Sequence, residues 1–157
     1  MGFLKGLLKF VLLIVVLFGL TAFFARFMDG PLVMLPGGPL KAGELVTNAD
    51  IDWTAFKDVQ EIEFESDGRS RITWIIVHED TAYIPASLGF PPGKTWHKEI
   101  LNDPTATLRI NGKRYPVTLT RVDDEDRKLA IGTALLEKYT PPPSDAGFWV
   151  FEISERV

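Results

Sequence analysis

The chain of 157 residues contains no cysteine and only two histidines. Structural disulfides and metal sites built on thiolate ligands are therefore excluded, and an oxidising compartment poses no hazard to the chain. His78 and His97 lie far apart in the sequence, and each would need carboxylate partners to hold a metal ion. We therefore expect no metal centre. Ser66, Ser70 and Ser87 lack the sharp turn of a catalytic nucleophile, which argues against a serine hydrolase.

Charge is missing from a long stretch near the N-terminus. Phe10–Ala25 is a run of 16 residues without a charged side chain, whereas a bilayer core requires about 20 apolar residues. The apolar region extends to Leu4–Met28 if the flanking basic side chains place their charges among the lipid headgroups. We interpret residues 1–28 as a transmembrane anchor.

The basic residues around this anchor predict its orientation. Lys5 and Lys9 precede it without an acidic neighbour, which favours a cytoplasmic N-terminus. Arg26 argues weakly for the opposite orientation, and Asp29 partly offsets it. We expect a single-pass protein of the inner (cytoplasmic) membrane whose C-terminal domain is periplasmic. A cleaved signal peptide is the alternative, although cleavage at the end of the segment would leave the bulky Phe23 where a small residue is preferred.

The rest of the chain is long enough for one domain and is acidic. The first 28 residues carry three basic and no acidic residues, so residues 29–157 have a formal charge of −7. Such a surplus argues against nucleic acid as a partner and against adsorption to anionic lipid. Residues 29–56 begin with many prolines and glycines, so we interpret them as a tether or strap leading into the domain. The domain itself takes residues 57–157.

Apolar patterns predict that this domain is mainly β. Alternating polar and apolar residues indicate half-exposed strands, and a segment apolar on both faces, Arg71–His78, indicates a central strand. Asn111-Gly112 is typical of a two-residue hairpin turn, and Glu79-Asp80 or Asp80-Thr81 provides another turn. The predicted strands are Glu61–Glu65, Arg71–His78, Ala82–Pro85, Ala106–Ile110, Lys113–Val122 and Phe148–Ser154.

Three helical segments are predicted between the strands. A short turn lies in 48–56, capped by Asp50 or Asp52. A second, Thr95–Leu101, has Thr95 as its cap and ends before Asp103-Pro104. The third is Asp124–Tyr139, which the three prolines 141–143 cannot continue. Its apolar side is predicted to consist of Leu129, Leu135, Leu136 and Tyr139.

The order of these elements predicts the fold class. We expect an α+β fold that is mostly β, in which an N-terminal transmembrane helix precedes a small antiparallel split β-barrel with two flanking helices. The tryptophans at positions 53, 74 and 149 are most simply explained as core residues.

The predicted hairpin brings two arginines together. Its register places Arg109 directly opposite Arg114, which is unfavourable unless their charges are compensated. Two explanations remain open: nearby acidic side chains or water relieve the repulsion, or an anion binds between the two guanidinium groups. Arg121 has the parity of the core-facing residues, so it either ends its strand or points into a cleft.

Several segments together resemble the split β-barrel flavin-binding superfamily. They are Trp74–His78, Tyr83-Ile84-Pro85, Trp96–Pro104 and the hairpin around Asn111-Gly112. Within the superfamily the chain is most similar to the deazaflavin-dependent nitroreductase group, with the pyridoxamine phosphate oxidases as more distant relatives. The resemblance covers roughly 62–139. It departs from the pattern at Glu99, where the nitroreductases have Asn, and at Trp96, where the phosphate oxidases carry a basic residue.

The resemblance implies a homodimeric barrel with a small-molecule cofactor at the subunit interface. That cofactor would be FMN or a deazaflavin, with its phosphate near the start of the short helix, where Lys94 and free backbone N–H groups also favour an anion. Haem is a less favoured alternative, with His97 as its contact. Catalytic residues are not identified. The candidate cofactor-binding residues are Lys94, Thr95, Trp96, His97, Arg109 and Arg114.

Two functions are compatible with these features. In the first, the protein is a membrane-anchored, extracytoplasmic split-barrel oxidoreductase of the nitroreductase type. In the second, it is a non-catalytic, membrane-tethered binding or assembly module that has lost its cofactor. Lys94, Arg109 and Arg114 favour the first hypothesis, whereas the acidic surface favours the second.

Overall fold

A long apolar helix precedes a curled antiparallel sheet. The computed structural model describes residues 2–33, 35–47, 50–140 and 147–156. Helix α1, Gly2–Ala25, contains the segment Phe3–Ala25, which has a mean hydropathy of 2.7 and is exposed over most of its length, with Ala25 at its end buried. By length and composition this helix could cross a membrane.

The sheet follows the path β3-β2-β6-β7-β8-β5-β4, with antiparallel neighbours throughout, and the short β1 pairs in parallel with β7. Because the path is antiparallel and curled, the predicted α+β class with a small split barrel is confirmed. The strands are β1 (Glu44–Leu45), β2 (Glu61–Ser66), β3 (Arg69–Trp74), β4 (Ile76–His78), β5 (Thr81–Ser87), β6 (Thr105–Ile110), β7 (Lys113–Arg121) and β8 (Phe148–Glu155).

The segment predicted as one central strand is instead divided at Ile75. Its two halves, β3 and β4, lie at opposite ends of the sheet path. Since only one residue separates them, the chain itself joins the two ends of the sheet, and the sheet has to curl. Ile75 and Ile76 are buried in two different core clusters, which explains why the apolar pattern continues across the division. Because both halves lie at the ends of the sheet path, the prediction of a central strand was wrong.

Side chains at the end of a later helix satisfy the backbone at this division. The hydroxyl of Tyr139 accepts the Ile75 N–H at 3.2 Å and lies 2.8 Å from the Ile75 carbonyl oxygen and 2.7 Å from that of Gln60. The Lys138 ammonium group donates to the carbonyl groups of Val59 and Ile75. Burial raises the pKa of Tyr139 to about 12, so the hydroxyl keeps its proton at neutral pH.

Both predicted two-residue turns are present. In the β6–β7 hairpin, Asn111 and Gly112 have φ values of 50° and 76°, and Ile110 pairs with Lys113 as expected. Glu79 and Asp80, which join β4 to β5, have φ values of 47° and 64°. Positive φ at both central residues matches the twist of the flanking strands.

Short helices lie at the two ends of the barrel. Helix α2, Trp96–Glu99, contributes Trp96 to the core. At the other end a 3-10 helix, Trp53–Phe56, packs both of its aromatic rings near Tyr115, and Asp52 caps it by accepting the Thr54 N–H. The residues between these helices form one apolar core, in which the largest fully buried side chains include Phe64, Phe151, Ile75, Ile84 and Leu108.

Helix α3, Glu125–Lys138, lies outside the barrel against β4 and is capped by Asp124. Leu135 and Tyr139 are buried as predicted. Leu129 and Leu136 are 72% and 67% exposed, contrary to the prediction. Residues four apart, with Ile131 as the third member, form the buried stripe, which leaves the other leucines on the outer side. The predicted proline segment 141–143 lies outside the described residues.

The segment after α1 lies along the barrel. We call residues 29–47 the strap. The N–H of Gly37 donates to the Ser70 carbonyl at 2.9 Å, the Ser70 hydroxyl donates to the Gly38 carbonyl at 2.6 Å, and Leu40 is buried. A Cβ atom on Gly37 would overlap the Gly30 carbonyl, so the close approach of the chain to itself requires glycine there.

Candidate functional site

The barrel end that α2 closes carries the predicted aromatic and histidine residues. The Trp96 ring lies 4.9 Å from the Phe64 ring and 5.7 Å from the Phe151 ring, centroid to centroid. His97 packs edge-on against Trp149 at 5.2 Å. Both α2 residues are therefore part of the packing rather than an open surface. We call this end, with its surrounding side chains, the α2 mouth.

Arg71 lies at the α2 mouth, and the sequence did not identify it as a site residue. Its guanidinium carbon is 5.4 Å from the centre of the Phe64 ring and 5.7 Å from that of Trp96. One terminal nitrogen, Nη2, donates to the Arg69 carbonyl at 3.3 Å. The other, Nη1, is buried and has no hydrogen-bond partner among the described residues. A buried guanidinium nitrogen without an acceptor is costly, and an anion would remove that cost.

Burial also changes the ionisation of the cations at the α2 mouth. It lowers the pKa of Arg71 to about 10, while Glu99 opposes the shift by its negative charge. Burial together with the charge of Arg71 lowers the pKa of Lys94 to about 8. The Lys94 ammonium group donates to the Phe90 carbonyl at 2.7 Å. The two cations thus repel each other in a partly desolvated place, where an anion is electrostatically favoured.

His97 adds a second polar atom without a partner. The residue is 4% exposed, and its Nδ1 atom is buried without a hydrogen bond within the described part of the chain. Burial lowers the pKa of His97, and the charges of Lys94 and Lys98 lower it further. The imidazole is therefore neutral at pH 7 and offers one donor and one acceptor nitrogen.

The start of α2 differs from the prediction. The Thr95 side chain makes no capping hydrogen bond, whereas its backbone carbonyl accepts the N–H groups of Lys98 and Glu99 at 2.8 and 3.2 Å. The helix is one turn long, so its dipole adds little to anion binding. The positive charge at this end of the barrel comes mainly from Arg71 and Lys94.

Arg121 ends its strand, which is one of the two alternatives that its parity left open. Its guanidinium carbon lies 4.5 Å from the centre of the Trp149 ring. The Nε atom donates to the Asp123 carboxylate at 2.7 Å. The charge of Arg121 is therefore already compensated at the rim of the α2 mouth.

Arg109 and Arg114 lie apart from the α2 mouth and bind the strap. Arg109 contacts the carboxylate of Glu63, and its Nη1 atom is 3.0 Å from Oδ2 of Asp29. These contacts, with the hydrogen bond to Glu63 as the largest, raise the pKa of Arg109. Arg114 donates to the carbonyl groups of Gly43 and Leu40 at 3.1 and 3.2 Å. Acidic side chains and carbonyl groups therefore relieve the repulsion between the arginines, as in the first of the two explanations.

One sequence signal could have revealed Arg71. It pairs with Phe64 across β2 and β3, and Phe64 is fully buried. An arginine directly opposite a fully buried phenylalanine is uncommon unless its charge has a partner. The signal was missed because the register of β3 against β2 could not be derived from the sequence.

Two clefts lie elsewhere on the barrel. One, of about 340 Å³, is lined by residues that include Glu61, Ile72 and Arg109. The other, of about 540 Å³, has an acidic lining that includes Asp50 and Asp80. Neither cleft is lined by Arg71 or Lys94.

Solved structures with a similar backbone have the same fold. A candidate pyridoxamine 5′-phosphate oxidase from Listeria innocua aligns with a TM-score of 0.50 and 16% identity over 66% of this chain and 90% of that chain. A conserved hypothetical protein from Mycobacterium tuberculosis aligns with a TM-score of 0.50 and 11% identity over 73% and 86%. An F420 reductase aligns with a TM-score of 0.44 and 10% identity over 69% and 95%. No family model and no curated protein matches the chain.

The two alignments with a TM-score of 0.50 define the class of fold. The chain has a split β-barrel of the pyridoxamine 5′-phosphate oxidase type, and the predicted resemblance to the split-barrel flavin-binding superfamily is confirmed for the fold. At such low identities the likeness shows the fold alone, so any function has to be argued from the site.

Proposed function

We propose that the protein is a membrane-anchored oxidoreductase that binds FMN or a deazaflavin at the α2 mouth. One observation carries this proposal: the buried guanidinium nitrogen of Arg71 has no partner among the described residues and lies at the same end of the barrel as Lys94 and His97. The split-barrel fold supports it, since proteins of this superfamily are flavin-binding.

The residues at the α2 mouth fit the phosphate end of such a cofactor. A phosphate group has several acceptor oxygens and favours a guanidinium group, which can donate two parallel hydrogen bonds. The rings of Phe64 and Trp96 hold the Arg71 guanidinium in place by contacting its plane. Lys94 would supply the second charge after leaving the Phe90 carbonyl. Thr95 would contribute only its exposed hydroxyl.

The cofactor would supply the redox chemistry, and the protein would position it. Arg71 and Lys94 would bind its anionic end. His97 is neutral, and its unpartnered nitrogen could exchange a hydrogen bond with a bound group. Trp96 is 6% exposed and packed against Phe64, so its role is to hold Arg71 rather than to stack on a ring system. Haem is a weaker candidate because the only histidine at this mouth is enclosed by its neighbours.

We also propose the setting of this activity. The apolar helix α1 would span the inner membrane, and Lys5 and Lys9 would remain on the cytoplasmic side. Residues 29–157 would then lie in the periplasm. The lack of cysteine in the chain is compatible with that compartment.

The barrel is further proposed to form a homodimer. Exposed apolar side chains support an association: Leu129 and Leu136 lie on the outer side of α3, and Phe148, which is 39% exposed, contacts Gly132 between them. Replacing Leu136 with Glu should shift the molar mass measured in detergent towards the monomer.

A non-catalytic binding or assembly module is the second candidate. It is favoured by the number of cations that already have partners: Arg109 and Arg114 bind the strap, and Arg121 binds Asp123. In that case the unpartnered groups at the α2 mouth would be a remnant of an earlier binding site.

Absorption spectroscopy on the full-length protein in detergent separates the two candidates. The first predicts a flavin or deazaflavin band after purification or after adding either cofactor, and loss of that band in Arg71→Met and Lys94→Met. Lys98→Met is the matched control. Lys98 is exposed on α2, four residues after Lys94, and the variant should retain the cofactor. A protein that remains colourless with FMN, deazaflavin and haem would support the second candidate.

A further inference from the structure

The junction between α1 and the barrel is short and closely packed. Ala25, the last residue of the helix, has no exposed surface, and the Gly38 N–H donates to the Met28 carbonyl at 3.1 Å. The Asp29 carboxylate accepts the Lys41 N–H at 2.6 Å and pairs with Arg109. The barrel therefore sits directly at the end of the helix rather than on a loose tether.

A small hairpin projects from this junction. Leu32 and Leu35 exchange two backbone hydrogen bonds of 3.0 and 2.9 Å, and Gly30 and Gly37 lie against each other at the base. Val33, at the tip, has a φ of 54° and is 73% exposed. Positive φ is a genuine outlier for a β-branched residue, and glycine, asparagine or aspartate would adopt it at lower cost.

Other apolar side chains near the helix end are also exposed. Phe27 is 71% exposed and Met28 is 48% exposed. We call Phe27, Met28 and Val33 the foot. In water, a strained valine at an exposed tip would have no advantage over a polar residue, and neither would the exposed phenylalanine at the end of the helix. Contact with an apolar medium would favour both the strained valine and the exposed phenylalanine.

The position of α1 indicates which medium that is. Its apolar part, Phe3–Ala25, has 23 residues and rises about 35 Å, whereas the hydrocarbon core is about 30 Å thick. The end of the helix therefore lies at the boundary between hydrocarbon and headgroups. Val33 is three residues from Gly30, hence at most about 11 Å from it. Phenylalanine is among the residues that membrane-surface helices bury at the boundary between headgroups and acyl chains.

We propose that the foot inserts into the outer interfacial region of the bilayer that α1 spans. The ligand of this surface is lipid, bound through apolar contact rather than through charge. The inference rests on the membrane setting proposed above. It adds that the barrel is held against the membrane in a fixed orientation by two contacts, the helix and the hairpin.

This orientation has a consequence for the candidate site. The Arg69 side chain donates to the Pro36 carbonyl at 3.2 Å, and Ser70 pairs with Gly37, so the hairpin base is bonded to the start of β3. Arg71 follows directly along the same strand. The foot would therefore hold the α2 mouth close to the lipid surface.

The absence of cysteine allows a clean test by single-site spin labelling. Full-length variants Leu17→Cys, Val33→Cys and Glu79→Cys are labelled in nanodiscs of phosphatidylcholine and phosphatidylglycerol, and collision rates with oxygen and with a water-soluble nickel chelate are measured. Glu79 is the matched control, because it is an exposed residue with a φ of 47° at a two-residue turn. Glu79 directly follows the end of β4, whereas the hairpin base pairs with the start of β3.

We expect the label at position 33 to meet oxygen readily and the nickel chelate several-fold less often than the label at position 79. Equal nickel accessibility at positions 33 and 79, with the label at position 17 in lipid, would contradict insertion of the foot. The same result would leave the proposal that α1 spans the membrane unaffected. Protection of position 33 from both reagents would also overturn it, since that indicates a protein partner. Nickel accessibility at position 17 would refute the membrane setting itself.

A second variant tests whether valine occupies the strained position 33 because it contacts lipid. Val33→Asn should fold at least as well in detergent, because asparagine tolerates positive φ. In nanodiscs it should move a label at Phe27→Cys towards water. An unchanged depth at position 27 would contradict a joint insertion of the two residues.

Discussion

The Tyr139 hydroxyl bonds to both backbone groups of Ile75, the residue at which one predicted strand divides into two. Replacing Tyr139 with Phe leaves the Ile75 N–H buried without a partner, whereas the Ile75 carbonyl keeps its hydrogen bond from the Lys138 ammonium group. We expect a loss of about 1–3 kcal/mol in the free energy of unfolding, which is the usual cost of an unsatisfied buried group. Chemical denaturation of the full-length protein in detergent measures it.

Tyr115→Phe is the matched control. Tyr115 is 6% exposed, and its hydroxyl has no hydrogen bond among the described residues. This variant should therefore change stability by less than Tyr139→Phe. Equal effects would show that the Ile75 contacts do not stabilise the division of the strand.

Lys94 should destabilise the protein in the absence of a ligand. Burial and Arg71 lower its pKa to about 8, so the folded state disfavours the protonated form. The cost is fully present below pH 8 and declines as the pH rises towards 10.5. Lys94→Met should therefore melt at a higher temperature than the wild type at pH 7, with a smaller difference at pH 10. A lower melting temperature at pH 7 would contradict this account of the α2 mouth.

Binding of an anionic cofactor should weaken as the pH rises through about 8. The phosphate of FMN is already a dianion above pH 7, Arg71 remains charged and His97 is neutral, so Lys94 is the group that changes. Loss of one charge-assisted contact corresponds to about 1.5–3 kcal/mol. Titrations at several pH values measure the effect. Lys94→Arg should remove it, because arginine keeps its charge.

The strap should depend on Arg109. Without this side chain, Glu63 and Asp29 face each other uncompensated, so Arg109→Met should cost about 2 kcal/mol, less than for a fully buried pair. It should also make 29–47 more susceptible to limited proteolysis. Lys113→Met, which removes an exposed pair with Glu44, should have little effect. Identical proteolysis of both variants would argue against an ionic attachment of the strap.

Acid should loosen the same contact. Hydrogen bonds from Lys41 and Arg109 outweigh the effect of burial and lower the pKa of Asp29. Because the pKa of Asp29 is lowered in the folded state, its ionised carboxylate stabilises the fold at pH values above the ordinary pKa of 3.8. That stabilisation is lost as the pH falls further below 3.8. Cleavage of the strap should therefore rise below about pH 4 in the wild type and change less in Asp29→Asn.

The fold could be predicted from the sequence where local signals were strong. Asn111-Gly112 determined the hairpin and its register, and the predicted segment Asp124–Tyr139 contains α3. The position of Arg71–His78 could not be predicted, because an apolar run does not show that Ile75 divides it. Only contacts made far along the chain, by Lys138 and Tyr139, explain the division.

The site was predicted in part for a similar reason. Lys94 and His97 were predicted as site residues because they lie just before and within a short helix with a recognisable motif, and their role stays a prediction. Arg71 was missed because its role depends on pairing with Phe64. Arg109 and Arg114 were correctly predicted to face each other. The residues that relieve their repulsion, Asp29 and Glu63 for Arg109 and the carbonyl groups of Leu40 and Gly43 for Arg114, lie far away in the sequence and could not be derived from spacing.

The most direct test of the proposed site compares FMN with riboflavin, which has the same ring system without the phosphate. Equilibrium titration of the full-length protein in detergent at pH 7 should show binding of FMN and at least tenfold weaker binding of riboflavin, given about 1.5–3 kcal/mol for each charge-assisted contact. The difference should disappear in Arg71→Met. Equal affinities for FMN and riboflavin, or an unchanged preference in Arg71→Met, would contradict the assignment of Arg71 and Lys94 as the phosphate-binding residues.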